Sequence, residues 1–146
     1  MIEVKFPEPS FRFKKENGVE YIFDGLRKSW LVLNEEEWVR QNFVQYLVST
    51  LGYPGSFIAL EKEIAVGELT KRFDILVYDN RHQPWLMVEC KARTILLDNS
   101  VVNQLLRYHS SIQVPFLVIT NGHYTFAWEK RDLRFELINT MPAWQR

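Results

Sequence analysis

A chain of 146 residues with 47% hydrophobic and 14% aromatic side chains is long enough to bury a core and too apolar to be disordered. Lys and Arg balance Asp and Glu at 18 each, so overall charge does not announce a nucleic-acid binder, and the single cysteine, Cys90, excludes an intramolecular disulfide or a multi-cysteine metal cage. No apolar run is long enough to span a bilayer and Met1 leads into charged sequence without a signal pattern, so a soluble cytoplasmic protein is expected. Phe11 to Phe23 reads as a β-hairpin, with Asn17-Gly18 supplying the positive φ of a tight turn. Ser29 to Leu33 reads as another short strand. Asn34 is then an N-cap, followed by Glu35, Glu36 and Glu37 in a first turn where the helix dipole favours acids. That helix is expected to run to about Leu51, burying Val39, Phe43, Tyr46, Leu47 and Thr50, and to end at Gly52 and Pro54.

Three strands follow, near Phe57–Ile64, Arg72–Tyr78 and Trp85–Lys91, the last two joined as a hairpin by the polar turn Asp79–Pro84. A second helix is expected over Ser100–Ile112, with Val101, Val102, Leu105, Leu106 and Ile112 facing inward. Phe116 to Ile119 is a continuous apolar strand, as burial on both faces requires. Asn121-Gly122 turns the chain into strands at Tyr124–Trp128 and Leu133–Leu137. The sum is a mixed α/β sheet flanked by helices, one domain over 1–146, with 1–33 an N-terminal β extension and 34–138 the core.

Two of these strands carry acids. The first is Arg72-Phe73-Asp74-Ile75-Leu76-Val77-Tyr78 and the second is Leu86-Met87-Val88-Glu89-Cys90-Lys91-Ala92. An ionised carboxylate in a strand interior is costly unless it has a partner. Antiparallel pairing across a short turn brings Asp74 near Glu89, and alternation puts Glu89 and Lys91 on one face. Converging carboxylates are hard oxygen ligands suited to Mg²⁺ or Mn²⁺, and the Cys90 carbonyl between Glu89 and Lys91 is a candidate third oxygen. Such a cation lowers the pKa of a bound water and neutralises charge on a phosphate, while Lys91 would orient the water. Gln104 and Tyr108, four residues apart on the second helix, share one face at the margin of its apolar stripe, flanked by Arg107 and Ser111. Residues 71–146 are net +3 and residues 1–70 net −3, so the half with the acids is the basic half, with Arg72, Arg93 and Arg107 as candidate nucleic-acid contacts.

Asp74…Glu89-x-Lys91 resembles the motif of the PD-(D/E)XK nuclease superfamily, and Gln104-x-x-x-Tyr108 resembles the Gln-x-x-x-Tyr motif of its restriction and recombination branches. With Glu36-Glu37-Trp38-Val39-Arg40-Gln41 and Thr120-Asn121-Gly122, these segments are similar to the N-terminal nuclease-like domain of type I restriction enzyme R subunits. The resemblance implies a restriction-endonuclease-like sheet and hydrolysis of DNA phosphodiester bonds. It makes Asp74 and Glu89 metal ligands, Lys91 the catalytic lysine, and Gln104 and Tyr108 supports of phosphate or lysine. It also implies a further acid on the first core helix: Glu36, expected on the apolar stripe one turn before Arg40, with Glu37 as the alternative. Phe73 stands where the motif is named for proline. The sequence has no G-x-x-x-x-G-K-[S/T], so the ATP-driven motor of an R subunit is not in it. A motor or specificity subunit, or a second copy of the chain, is then a candidate partner beside DNA.

Plainer readings stand beside these. Glu36 with Arg40 is an ordinary i,i+4 pair, and Gln104 and Tyr108 taken alone are solvated helix residues. His82, His109 and His123 lack ligand spacing and read as surface or turn residues; Cys90 reads as a small packing residue, and Trp30, Trp85, Trp128 and Trp144 as core or edge cover. The rival function is a catalytically silent module of the same fold that binds nucleic acid or a protein partner.

Overall fold

The fold is seen in a computed structural model, which describes residues 1–144. Strands β1 (Phe13–Glu16), β2 (Val19–Asp24) and β3 (Ser29–Val32) form an antiparallel three-stranded sheet in the order β1-β2-β3. Helix α1 (Glu35–Gln45) follows. Six strands then build the main sheet in chain order: β4 (Ile58–Val66), β5 (Leu69–Tyr78), β6 (Pro84–Cys90), β7 (Phe116–Thr120), β8 (Thr125–Arg131) and β9 (Arg134–Ile138). Every neighbouring pair is antiparallel except β6 and β7, which run parallel because α2 (Asn99–Tyr108) makes the crossover between them. The mixed α/β sheet flanked by helices is as the sequence suggests.

The sheet separates two apolar cores. On one side Val39, Phe43, Val44 and Leu47 of the first helical segment pack with Ile75, Val77, Leu86, Val88 and Val118. On the other, Phe73, Leu76, Met87, Leu117 and Ile119 meet Val101, Val102, Leu105 and Leu106 of α2. Strands β6 and β7 are thus covered on both faces, which explains their unbroken apolar runs.

The helices depart from expectation at their C-terminal ends. Asn34 caps α1 as expected, its Oδ1 accepting from the Glu37 amide at 2.7 Å. Past Gln45, however, the coil widens to a π-helical turn over Tyr46–Thr50, closed by the Leu51 amide donating to the Tyr46 carbonyl at 3.2 Å. The wider pitch shifts the phase, so Tyr46 and Leu47 are buried but Thr50 is exposed. Helix α2 stops at Tyr108, four residues short of Ile112. The β4–β5 hairpin is longer than expected, extending to Val66 and Leu69 around Gly67, whose φ of +62° suits glycine.

Two local features position the site. Between the pairs Leu60–Ile75 and Lys62–Phe73 the β4–β5 ladder skips Glu61 and Asp74, and Glu61 takes a φ of +51°. Beyond the gap the strand faces exchange cores, since Ile75 belongs to the α1 side and Phe73 to the α2 side. The second is the Asn121-Gly122 turn. Asn121 Oδ1 accepts from the amides of His123 and Tyr124, and a Cβ at Gly122 (φ +89°) would lie 3.3 Å from Val39 and Arg93.

Candidate functional site

Asp74 sits in the ladder gap of β5. It lies opposite Glu89 of β6, one step past the last registered pair, Ile75–Val88. The polypeptide therefore brings the two acids to the same place, as antiparallel pairing suggested. Asp74 Oδ2 accepts from the Cys90 amide at 2.7 Å, and Oδ1 accepts from Arg40 Nη2 at 2.9 Å. Despite these donors, burial first and the charge of Glu89 second push the Asp74 carboxyl up to about 6.

Glu89 is 17% exposed, with Oε1 3.7 Å from Lys91 Nζ and Oε2 3.8 Å from His109 Nε2. Glu89 and Lys91 open onto a cleft of about 310 Å³ that also takes in Arg72, Gln104 and Tyr108, over an apolar floor of Val101 and Leu105. Gln104 and Tyr108 are exposed at the rim, as their helical spacing indicated. Asp74 is not part of this lining. Its carboxylate is turned to Arg40 and the Cys90 amide.

Cys90 gives its amide hydrogen to Asp74. Burial, followed by the charge of Asp74, pushes its thiol well up, so at neutral pH it is a protonated thiol and no soft ligand.

On α1 the acid expected on the buried stripe is displaced by one residue. Glu36 is exposed and reaches Arg40 Nη2 at 3.4 Å, whereas Glu37 is buried and accepts from Arg40 Nη1 at 2.6 Å and Gln41 Nε2 at 3.0 Å. Glu36 is thus off the stripe because that stripe runs through Glu37, Arg40 and Gln41. Arg40 is the residue that spacing alone did not single out. It joins Glu37 to Asp74, and although burial works against its charge, Glu37 and Asp74 hold it protonated more firmly than usual. Its carboxylate neighbours extend to Glu61, at 3.6 Å from Nη1.

Arg72 is exposed at the cleft and pairs with Glu61 at 3.2 Å. Arg93 is committed to α1, with Nε and Nη2 on the Glu35 carboxylate at 2.8 and 2.9 Å and its guanidinium 4.0 Å over the Trp38 ring. Arg107 is exposed on the last turn of α2, outside the cleft lining.

His82 and His123 are exposed in turns, but His109 is fully buried, contrary to the surface position its spacing suggested. The missed signal is its phase: Val102, Leu105, Leu106 and His109 fall on one helical stripe. Lys71 is also buried; its Nζ donates to the Tyr108 carbonyl and lies 4.3 Å over the Tyr108 ring, fixing the end of α2.

Among the described residues no three His, Cys, Asp or Glu side chains converge as a ready metal cage. Asp74 and Glu89 are hard oxygen donors of the kind that suits Mg²⁺ or Mn²⁺, which one or two carboxylates can hold with waters and phosphate completing the shell. No helix is long and apolar enough to cross a membrane among the described residues. A search of curated proteins finds no match. The model of the type I restriction enzyme R protein N terminus matches residues 35–142, from the start of α1 to beyond β9. The chain belongs to that family, whose domain is of the PD-(D/E)XK nuclease type, and it has a restriction-enzyme-like role.

Proposed function

We propose that this chain is a Mg²⁺- or Mn²⁺-dependent nuclease that hydrolyses phosphodiester bonds in DNA. The observation that carries the reading is that Asp74 and Glu89 stand across from each other on adjoining strands, with Glu89 beside Lys91 at an open cleft. Asp74, Glu89 and the Cys90 carbonyl would hold the cation. When bound, the cation would supply a water of lowered pKa and neutralise charge on the phosphate. Lys91 would orient the attacking water and stabilise charge on the phosphate oxygens. The Cys90 amide keeps Asp74 oriented, Arg40 tempers the local negative charge, and Gln104 and Tyr108 hydrogen-bond the phosphate from the cleft rim. Arg72, on the same cleft, is the best placed of the three arginines to meet a backbone phosphate; Arg107 would meet it further out, while Arg93 serves the fold.

The family also supports a setting beside other subunits. A motor or specificity subunit, or a second copy of this chain, would then supply the grip on DNA that a neutral protein of this size lacks. Cleavage of plasmid and single-stranded DNA with Mn²⁺ tests the reading. Lys91→Ala should fold normally and lose cleavage; undiminished cutting by that variant removes the assignment.

A silent module is the second reading, and one observation favours it: Arg40 already places a cation on Asp74 Oδ1. Titration calorimetry separates the two. Mn²⁺ uptake that vanishes in Asp74→Asn and Glu89→Gln supports the nuclease, and no uptake by the native chain supports the silent module.

A further inference from the structure

His109 has no task in the chemistry above, yet its side chain is fully buried and neither ring nitrogen has a hydrogen-bond partner. Buried polar groups nearly always find a partner, so two orphaned nitrogens in one ring need a reason. His109 caps the C-terminal end of α2, directly after Tyr108. Its ring lies against Phe73, with centroids 5.5 Å apart, and meets the Tyr108 ring edge-on at 4.8 Å. This packing fixes the imidazole and faces Nε2 toward Glu89 Oε2 at 3.8 Å, while the other Glu89 oxygen faces Lys91. The separation is roughly 1 Å longer than a hydrogen bond.

We propose that His109 is a positioning residue for Glu89: Nε2–H donates to Oε2 when Glu89 takes up a divalent cation, holding the carboxylate in one rotamer. The inference rests on the metal-dependent reading of the site. Carboxylates that ligate a metal are themselves held by hydrogen bonds from buried neighbours, and those neighbours tune affinity. Because Phe73 and Tyr108 clamp the imidazole, the movement that closes the gap belongs to the Glu89 side chain. One ring N–H is enough for the position, since Glu89 Oε2 needs a single donor there. The same helix end carries Tyr108, so the residue that orients the ligand and the residue at the cleft rim are set by one turn of α2.

The test is Mn²⁺ titration calorimetry on the native chain, His109→Phe and His109→Gln, with thermal unfolding of each. His109→Phe keeps the ring packing and removes the donor. It should remain folded and bind Mn²⁺ roughly 10- to 100-fold more weakly. His109→Gln offers an amide donor near the position of Nε2 and should recover most of that loss. Equal Mn²⁺ affinity in all three proteins overturns the proposal, as does an equal loss in both variants. If His109→Phe does not fold, ¹⁵N-histidine NMR of the native chain serves instead. Mg²⁺ should shift the His109 Nε2 resonance, and this response should vanish in Glu89→Gln; no shift with Mg²⁺ bound overturns the proposal. A native chain that binds no Mn²⁺ overturns the nuclease reading and this inference together, whereas binding that ignores His109 overturns only this one.

Discussion

Asp74 shows how one side chain carries opposing demands. It is 15% exposed, accepts from a guanidinium and from an amide, and still has its carboxyl pushed up to about 6 by burial and by Glu89. A carboxyl whose folded pKa lies above its unfolded value favours the folded state when protonated. Its contribution is therefore fully present below the ordinary aspartate range near 3.8 and is lost as pH rises toward 6. Across that window the loss is about 3 kcal/mol. Asp74→Asn removes this dependence. The stability of the variant relative to the native chain should thus improve by about 2 kcal/mol between pH 4 and pH 7, as read by urea unfolding at each pH. A difference that stays constant across this range would show that Glu89 and burial do not load Asp74 as described. The sequence makes Asp74, Glu89 and Lys91 legible because acids in apolar strands are conspicuous. Arg40 and His109 are not, since a basic or polar residue on a helix is commonplace until the fold shows which stripe is buried.

At the scale of elements, the strands that enter the core are legible from their apolar runs. The distal arms of β4 and β5 are not, because residues 65–70 are mostly exposed and the sequence Ala65-Val66-Gly67-Glu68-Leu69-Thr70 has no buried face to betray a strand. The end of α2 was equally hidden. What stops it involves a residue from elsewhere: Lys71 of β5 takes the Tyr108 carbonyl and places its ammonium over the Tyr108 ring. A cation at this end also suits the helix dipole. Lys71→Met should lower stability by about 1–3 kcal/mol through the orphaned carbonyl. It should also speed amide exchange selectively at Leu106–His109. Exchange unchanged there, with stability lost, would locate the role of Lys71 in packing. At the opposite end of the other helix, Asn34→Ala removes the acceptor for the Glu37 amide and should cost about 1 kcal/mol in thermal unfolding.

For the molecule as a whole, the candidate site lies where the two cores exchange strands. Phe73 and Ile75 flank Asp74 and point to opposite sides of the sheet. Binding of a cation there should be felt globally, because a ligand that binds only the folded chain stabilises all of it. At a Mn²⁺ concentration 100-fold above its dissociation constant the gain should be about 2.7 kcal/mol. That gain should be absent in Glu89→Gln, and a variant stabilised as much as the native chain would move the cation elsewhere.

The charge network around Arg27 reaches further than the family match does. Arg27 follows β2, ahead of residue 35, and its guanidinium holds Asp24 at 2.5 Å and Glu61 at 2.8 Å. Glu61 in turn faces Arg40, the partner of Asp74. A shortened protein begun at Asn34 would take Arg27 away from Glu61 and from Glu37, whose Oε1 lies 3.6 Å from Arg27 Nη2, and Arg40 would be drawn more strongly toward both acids. Under the metal-dependent reading, trimming the leading sheet should therefore change how firmly Arg40 grips the acid on β5, and with it cation affinity, without removing a ligand.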